Sequence, residues 1–114
     1  MIARRRDFFD SWVMTDIDPV RAAVAARRTG DGRFSSDELD ASDRGAVAEA
    51  VRRHGCDVVL NAADPRFVMP IFGGAFDAGA TYLDMAMSLS QAHPEKPYEL
   101  TGVMLGDEQW ATAE

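Results

Sequence analysis

The chain has 114 residues, 46% of them hydrophobic, which is room for one domain with one core and too apolar for a disordered tail. Its formal net charge of -7, from 19 acidic against 12 basic residues, excludes a general nucleic-acid binder, which carries a basic face. A nucleotide is not excluded, because its phosphates are gripped locally. Cys56 is the only cysteine, so no intramolecular disulfide forms and a reducing compartment is expected.

Ile2 to Phe9 reads as the end of a helix, with Arg4, Arg5 and Arg6 where a helix carboxyl terminus favours cations. Asp7, Asp10, Asp16 and Asp18 leave no apolar segment for translocation, and no apolar run is long enough to span a bilayer. The expectation is a soluble cytoplasmic protein without a membrane partner. Trp12 to Ile17 has a short strand pattern ending in acids. Pro19 to Arg28 is Ala-rich and helical, with Asp18 as N-cap and Pro19 at the first helical position. Gly30 and Gly32 break it, and Arg33 to Leu39 carries a weak strand signal. Asp43 to His54 is a helix that Ser42 can cap, with Val47, Ala50 and Val51 on one face and Gly55 just past its end.

Asp57 to Ala63 contains the run Val58, Val59 and Leu60, which predicts a strand covered on both faces, as in a parallel sheet. Asp64-Pro65 is a turn signal. Val68 to Ala78 follows a helical period, with Pro70 tolerated only in the first turn. Gly73 and Gly74 fall mid-helix, where each costs roughly 1 kcal/mol relative to Ala, and close packing on the sheet is one reason to keep them. Thr81 to Met87 is a further strand, His93 to Tyr98 a loop, and Asp107 to Ala113 the start of a last helix. Strand and helix alternate, which predicts parallel strands joined by right-handed crossovers.

Ligands in open α/β sheets bind at the carboxyl ends of strands. Asp16 closes the first strand, where a carboxylate accepts hydrogen bonds from adenosine ribose hydroxyls and repels a 2′-phosphate. A solvated strand-end acid fits the same residue, and Asp18 then only caps a helix. Asp40, in Asp40-Ala41-Ser42, lies where an acid approaches adenine in such folds; turn and cap roles fit it equally. Asn61, Ala62 and Ala63 close the most apolar strand, and their small side chains admit a ligand to the backbone. An ordinary turn into Asp64-Pro65 is the alternative; the ligand reading is favoured because Asn61 interrupts an otherwise apolar strand. Asp84, inside Tyr82-Leu83-Asp84-Met85-Ala86, is a carboxylate in a mostly apolar strand and needs a partner, from a ligand or from backbone amides. His54, His93 and Cys56 share no metal-ligand spacing. His54 reads as a helix-end residue, His93 as a loop residue and Cys56 as a small buried side chain.

The stretch from Asp57 through Asn61-Ala62-Ala63-Asp64-Pro65 to Phe72, with Ala78 to Ala86, resembles the N-terminal nucleotide-binding domain of saccharopine dehydrogenase-like proteins. The tail Leu105-Gly106-Asp107-Glu108-Gln109-Trp110 is similar to one branch of them. The resemblance implies an α/β fold of Rossmann type, a parallel sheet with helices on both faces. It implies an NAD cofactor, with NADP as the other candidate, and oxidoreduction at a carbon–nitrogen bond of an amino-acid-derived secondary amine. Asp16, with Ile17 beside it, would hold the adenosine ribose, with Asp40 near the adenine. Asn61, Ala62 and Ala63 would lie along the cofactor, and Asp84 and Ala86 near the nicotinamide. Asp16 favours NAD, tempered by Arg21 on the following helix, which can meet a phosphate.

The family opens with a strand and a G-x-G-x-x-G/A turn about 20 residues before the ribose acid, and Asp16 lies too near Met1 for that turn to be encoded. The expectation is therefore an incomplete dinucleotide-binding domain over residues 1–114, without the first strand, the glycine-rich turn or a separate substrate domain. A gene fragment or a mis-called start accounts for it, and alone it would bind dinucleotide weakly and not turn over. The alternative is a non-catalytic interaction module or nucleotide-binding remnant that completes its sheet, by self-association or with a partner strand, at open edges.

Overall fold

The computed structural model describes residues 8–85 and 89–113, and the chain divides into two compact units, Met1–Ala41 and Ser42–Glu114. Phe8 and Phe9 are irregular rather than helical. The rest of the helix end expected from Ile2, including Arg4 to Arg6, lies outside the described residues.

The first unit is a strand–helix–strand crossover: β1 (Trp12–Asp16), α1 (Pro19–Arg28) and β2 (Phe34–Glu38). β1 and β2 are parallel, with Trp12 opposite Phe34 and Asp16 opposite Glu38. α1 begins where the sequence predicts. The Asp18 carboxylate accepts from the amides of Val20 and Arg21, and Pro19 needs no amide partner in the first turn. Ala22 and Ala26, one turn apart, are buried and let the helix lie close on the strands. Phe9, Trp12 and Phe34 pack edge-on or tilted at the amino end of the strands, with the Arg33 guanidinium 4.3 Å above the Phe9 ring.

The second unit holds α2 (Arg44–His54), β3 (Val58–Asn61), a 3₁₀ turn (Pro65–Phe67), α3 (Val68–Ala78) and β4 (Thr81–Asp84). It continues with β5 (Leu89–Gln91), β6 (Val103–Met104) and α4 (Leu105–Ala113). β3 and β4 are parallel, Asn61 opposite Asp84, and β5 pairs antiparallel with β6. The core is the α2–α3 contact, where Val47, Ala50 and Val51 meet Val68, Ile71 and Ala75, all buried. The parallel pairing expected near Val13, Phe34, Val59 and Leu83 is present, in two two-stranded sheets. The architecture is mixed α/β and Rossmann-like.

Four expectations change in detail. Asp43, not Ser42, caps α2, its carboxylate accepting from the Ala46 amide at 3.0 Å. The two residues are adjacent and both competent, and Asp43 sits at the position that reaches the first turn. Gly73 and Gly74 serve helix–helix rather than helix–sheet packing: a Cβ on Gly74 would lie 2.6 Å from Val47, and one on Gly73 2.8 Å from the Arg44 side chain. The Val58–Leu60 run is not covered on both faces, since Val58 is 51% and Leu60 37% exposed. Their side chains point away from α3, to the face that Leu83 shares. Lastly, the β5–β6 pair carried no alternating pattern to announce it, and the expected strand end at Ala86 and Met87 lies outside the described residues.

Candidate functional site at the strand carboxyl ends

In the first unit Asp16 stands at the carboxyl end of β1, its side chain 33% exposed. Oδ1 accepts from the Asp18 amide at 2.9 Å and from Arg21 Nη2 at 2.8 Å. The Asp18 amide first, then the Arg21 guanidinium, hold this carboxyl below the ordinary carboxylate range. Oδ1 takes both bonds, and among the described residues no donor meets Oδ2. Ile17 follows, exposed, and Asp40 is exposed beyond β2. A shallow cleft of about 350 Å³ lies elsewhere in this unit, beside Gly30, Gly32 and Ala26. Gly30-Asp31-Gly32 runs from a helix into a strand, the reverse of a phosphate-binding turn, so no helix N-terminus faces it.

In the second unit the carboxyl ends of β3 and β4 carry a polar chain of side chains. Asn61 is 3% exposed, yet both ends of its amide are engaged. Oδ1 accepts from the Ala63 amide at 2.9 Å, and Nδ2 donates to the Tyr82 hydroxyl at 3.0 Å. The Ala63 bond fixes which end of the amide is which. The Asp84 carboxylate lies near the same Tyr82 hydroxyl, close enough for its charge to be felt there. Gln109 of α4 reaches Asp84 Oδ2 at 3.4 Å. Burial first, and the nearby Asp84 charge with it, push the Tyr82 phenol up to about 12, so it is a hydrogen-bond donor at any physiological pH. Ala62 and Ala63 are exposed above this chain, leaving their backbone open to approach. Ala86 lies outside the described residues.

Two helix starts are occupied by aspartates: Asp18 caps α1 and Asp43 caps α2, while Asp64 caps the 3₁₀ turn ahead of α3, whose own start has no side-chain cap. A helix N-terminus attracts phosphate through free amides and a positive dipole end. A carboxylate already seated there uses an amide and sets a like charge before an incoming phosphate.

The histidines have local roles: His54 ends α2, and His93 Nδ1 accepts from the Glu95 and Lys96 amides. Cys56 is partly buried, which pushes its thiol up. Among the described residues no cluster of three or more His, Cys, Asp or Glu is placed to hold a metal, and no helix is long and apolar enough to cross a membrane.

Parallel crossovers with acids, an asparagine and small residues at the strands' carboxyl ends are what a dinucleotide-binding domain requires, and the family model for the saccharopine dehydrogenase NADP binding domain matches residues 1–114. The chain belongs to this family. No curated protein matches it. Membership makes it a nicotinamide-dinucleotide-binding type of domain. Tyr82 and Gln109 were missed. Tyr82 stands two residues before Asp84, on the same face of β4, so strand periodicity alone could have found it. No local signal marks Gln109, which arrives from a helix 25 residues on.

Proposed function

We propose that this chain forms the cofactor-holding part of an NAD(P)-dependent oxidoreductase of saccharopine dehydrogenase type, acting on carbon–nitrogen bonds of amino-acid-derived secondary amines. The observation that carries the reading is Asp16: a half-exposed carboxylate at the end of a parallel strand, with Oδ1 held by the chain and Oδ2 open to ribose hydroxyls. In the first unit Asp16 and Ile17 take the adenosine ribose, with Asp40 toward the adenine. In the second, Asn61, Ala62 and Ala63 line the cofactor's path and Asp84 lies toward the nicotinamide. Asp16 alone favours NAD. Arg21 neutralises it and offers a cation to a 2′-phosphate, so the pair admits NADP as well, in keeping with the family's description.

The test is an amide-resonance titration of the chain with NAD, NADP and adenosine monophosphate. All three should move the Asp16 and Ile17 amides in the wild-type chain and leave them still in Asp16→Ala. Dinucleotide binding that ignores Asp16→Ala would remove the ribose assignment.

A second reading has its own observation. Val58, Leu60 and Leu83 form an exposed apolar face on the β3–β4 pair, as an interaction module would. Sedimentation at rising concentration separates the readings: a monomer throughout speaks against self-association at this face.

A further inference from the structure

Asn61 is a buried polar residue whose amide is fully committed, and its partners explain why it is tolerated. It sits directly across from Asp84 in the parallel register, with Tyr82 as its diagonal neighbour. The Tyr82 hydroxyl accepts from Asn61 Nδ2, while Asn61 Oδ1 anchors the Ala63 amide. The Tyr82 ring is held from the other side by Phe72 of α3, edge-on at 5.4 Å. A rigid ring thus fixes one hydroxyl. That hydroxyl fixes one asparagine rotamer, and the asparagine fixes the backbone where Ala62 and Ala63 are exposed.

We propose that Tyr82 is a positioning residue of the dinucleotide site, acting through Asn61 on the Ala62–Ala63 backbone. This rests on the proposed function above. Removing the hydroxyl leaves Asn61 Nδ2 buried without an acceptor, and the amide then turns or the segment loosens. Tyr82 itself need not touch the ligand. Phe72 supports the ring and takes no part in the polar chain, so the two contributions are separable.

The experiment compares the wild-type chain with Tyr82→Phe, Phe72→Leu, Asn61→Ala and the Tyr82→Phe/Asn61→Ala pair. Affinity for NAD and NADP is read from amide resonances at millimolar ligand, and folding from thermal melts. Tyr82→Phe should shift the Ala63 amide upfield as its hydrogen bond weakens, and weaken dinucleotide binding about three- to tenfold, the loss of one net hydrogen bond. Phe72→Leu, which loosens the ring's support but leaves the hydroxyl and its bond to Asn61, should lower the melting temperature and cost less affinity than Tyr82→Phe. The double variant should bind no worse than Asn61→Ala alone, because the two residues act in series. Unchanged affinity and an unmoved Ala63 amide in Tyr82→Phe would overturn the positioning role while leaving the dinucleotide site intact. Additive losses in the double variant would overturn the route through Asn61. A wild-type chain whose Ala62 and Ala63 amides ignore both dinucleotides would overturn the underlying reading and this proposal together.

Discussion

Arg21 Nη2 lies 2.8 Å from Asp16 Oδ1, five residues back along the chain, and ties the end of β1 to the first turn of α1. If Asp16 takes the ribose as proposed, the pair sets cofactor choice, because a carboxylate repels a 2′-phosphate and a guanidinium attracts one. Arg21→Ala is expected to weaken NADP binding by about tenfold and leave NAD within about twofold, given roughly 1.5 kcal/mol for a charged hydrogen bond. Asp16→Asn should move the ratio the other way. Equal losses for both dinucleotides in Arg21→Ala would show that the arginine meets no 2′-phosphate. Titration of both cofactors against both variants measures the ratio.

The α2–α3 contact predicts a difference between adjacent glycines. A methyl on Gly74 would lie 2.6 Å from Val47, itself 2% exposed, and 2.8 Å from the Arg44 carbonyl, neither of which can move aside. Gly74→Ala is expected to destabilise by up to about 2 kcal/mol net, since an overpacking cost of about 1–3 kcal/mol outweighs the roughly 1 kcal/mol gained from helix propensity. On Gly73 the same methyl meets only the Arg44 side chain, which can swing away. Gly73→Ala should therefore cost less, and urea unfolding of the two variants gives the ranking directly.

Asp77 accepts two hydrogen bonds from Arg44, at 2.7 Å each, and its backbone carbonyl accepts from Arg52. The Arg44 guanidinium holds its carboxyl below the ordinary 3.8. A depressed folded value means that the unfolded chain binds the proton first as pH falls. The clamp's contribution is thus complete above 3.8 and is lost as pH falls through the lower folded value. Asp77→Asn should melt below the wild type at pH 7, and the gap should close in acid. A gap that persists well below the folded value would mean that charge plays no part in this contact.

The two aspartate-capped helix starts, at Asp18 and Asp43, lead to a prediction about affinity. A pyrophosphate normally takes two or more charge-assisted bonds from free amides at such a start, each about 1.5–3 kcal/mol. Without two of them a micromolar site weakens by about two to four powers of ten. Calorimetry on the 114-residue chain is expected to give a millimolar constant for NAD and for NADP. Micromolar binding would mean that other amides of this chain hold the phosphates.

Legibility in the sequence followed distance along the chain. Asp18-Pro19 announced α1 because a cap and a first-turn proline act on their own neighbours, and α3 ran from Val68 to Ala78 as its period predicts. The strand ends at Asp16, Asn61 and Asp84 were legible as polar residues closing apolar runs. What those side chains touch was not. Asn61 meets Tyr82 21 residues later, and nothing near either residue encodes the contact. The exposure of Val58 and Leu60 was equally hidden, because an apolar run records what a strand can bury and not what is there to cover it.

Both parallel pairs close over a short stretch of chain: Trp12 meets Phe34, and Val58 meets Thr81. Closure over so few residues carries a modest entropy cost, which grows only slowly with length. On the ribosome, at roughly 5–20 residues per second, Phe34 is made about nine seconds before Thr81 at the slower end of that range. The first crossover thus has both of its strands, its helix and its Asp18 cap in hand before the second has its closing strand. The order of synthesis is also the order in which each unit becomes able to bury its own helix.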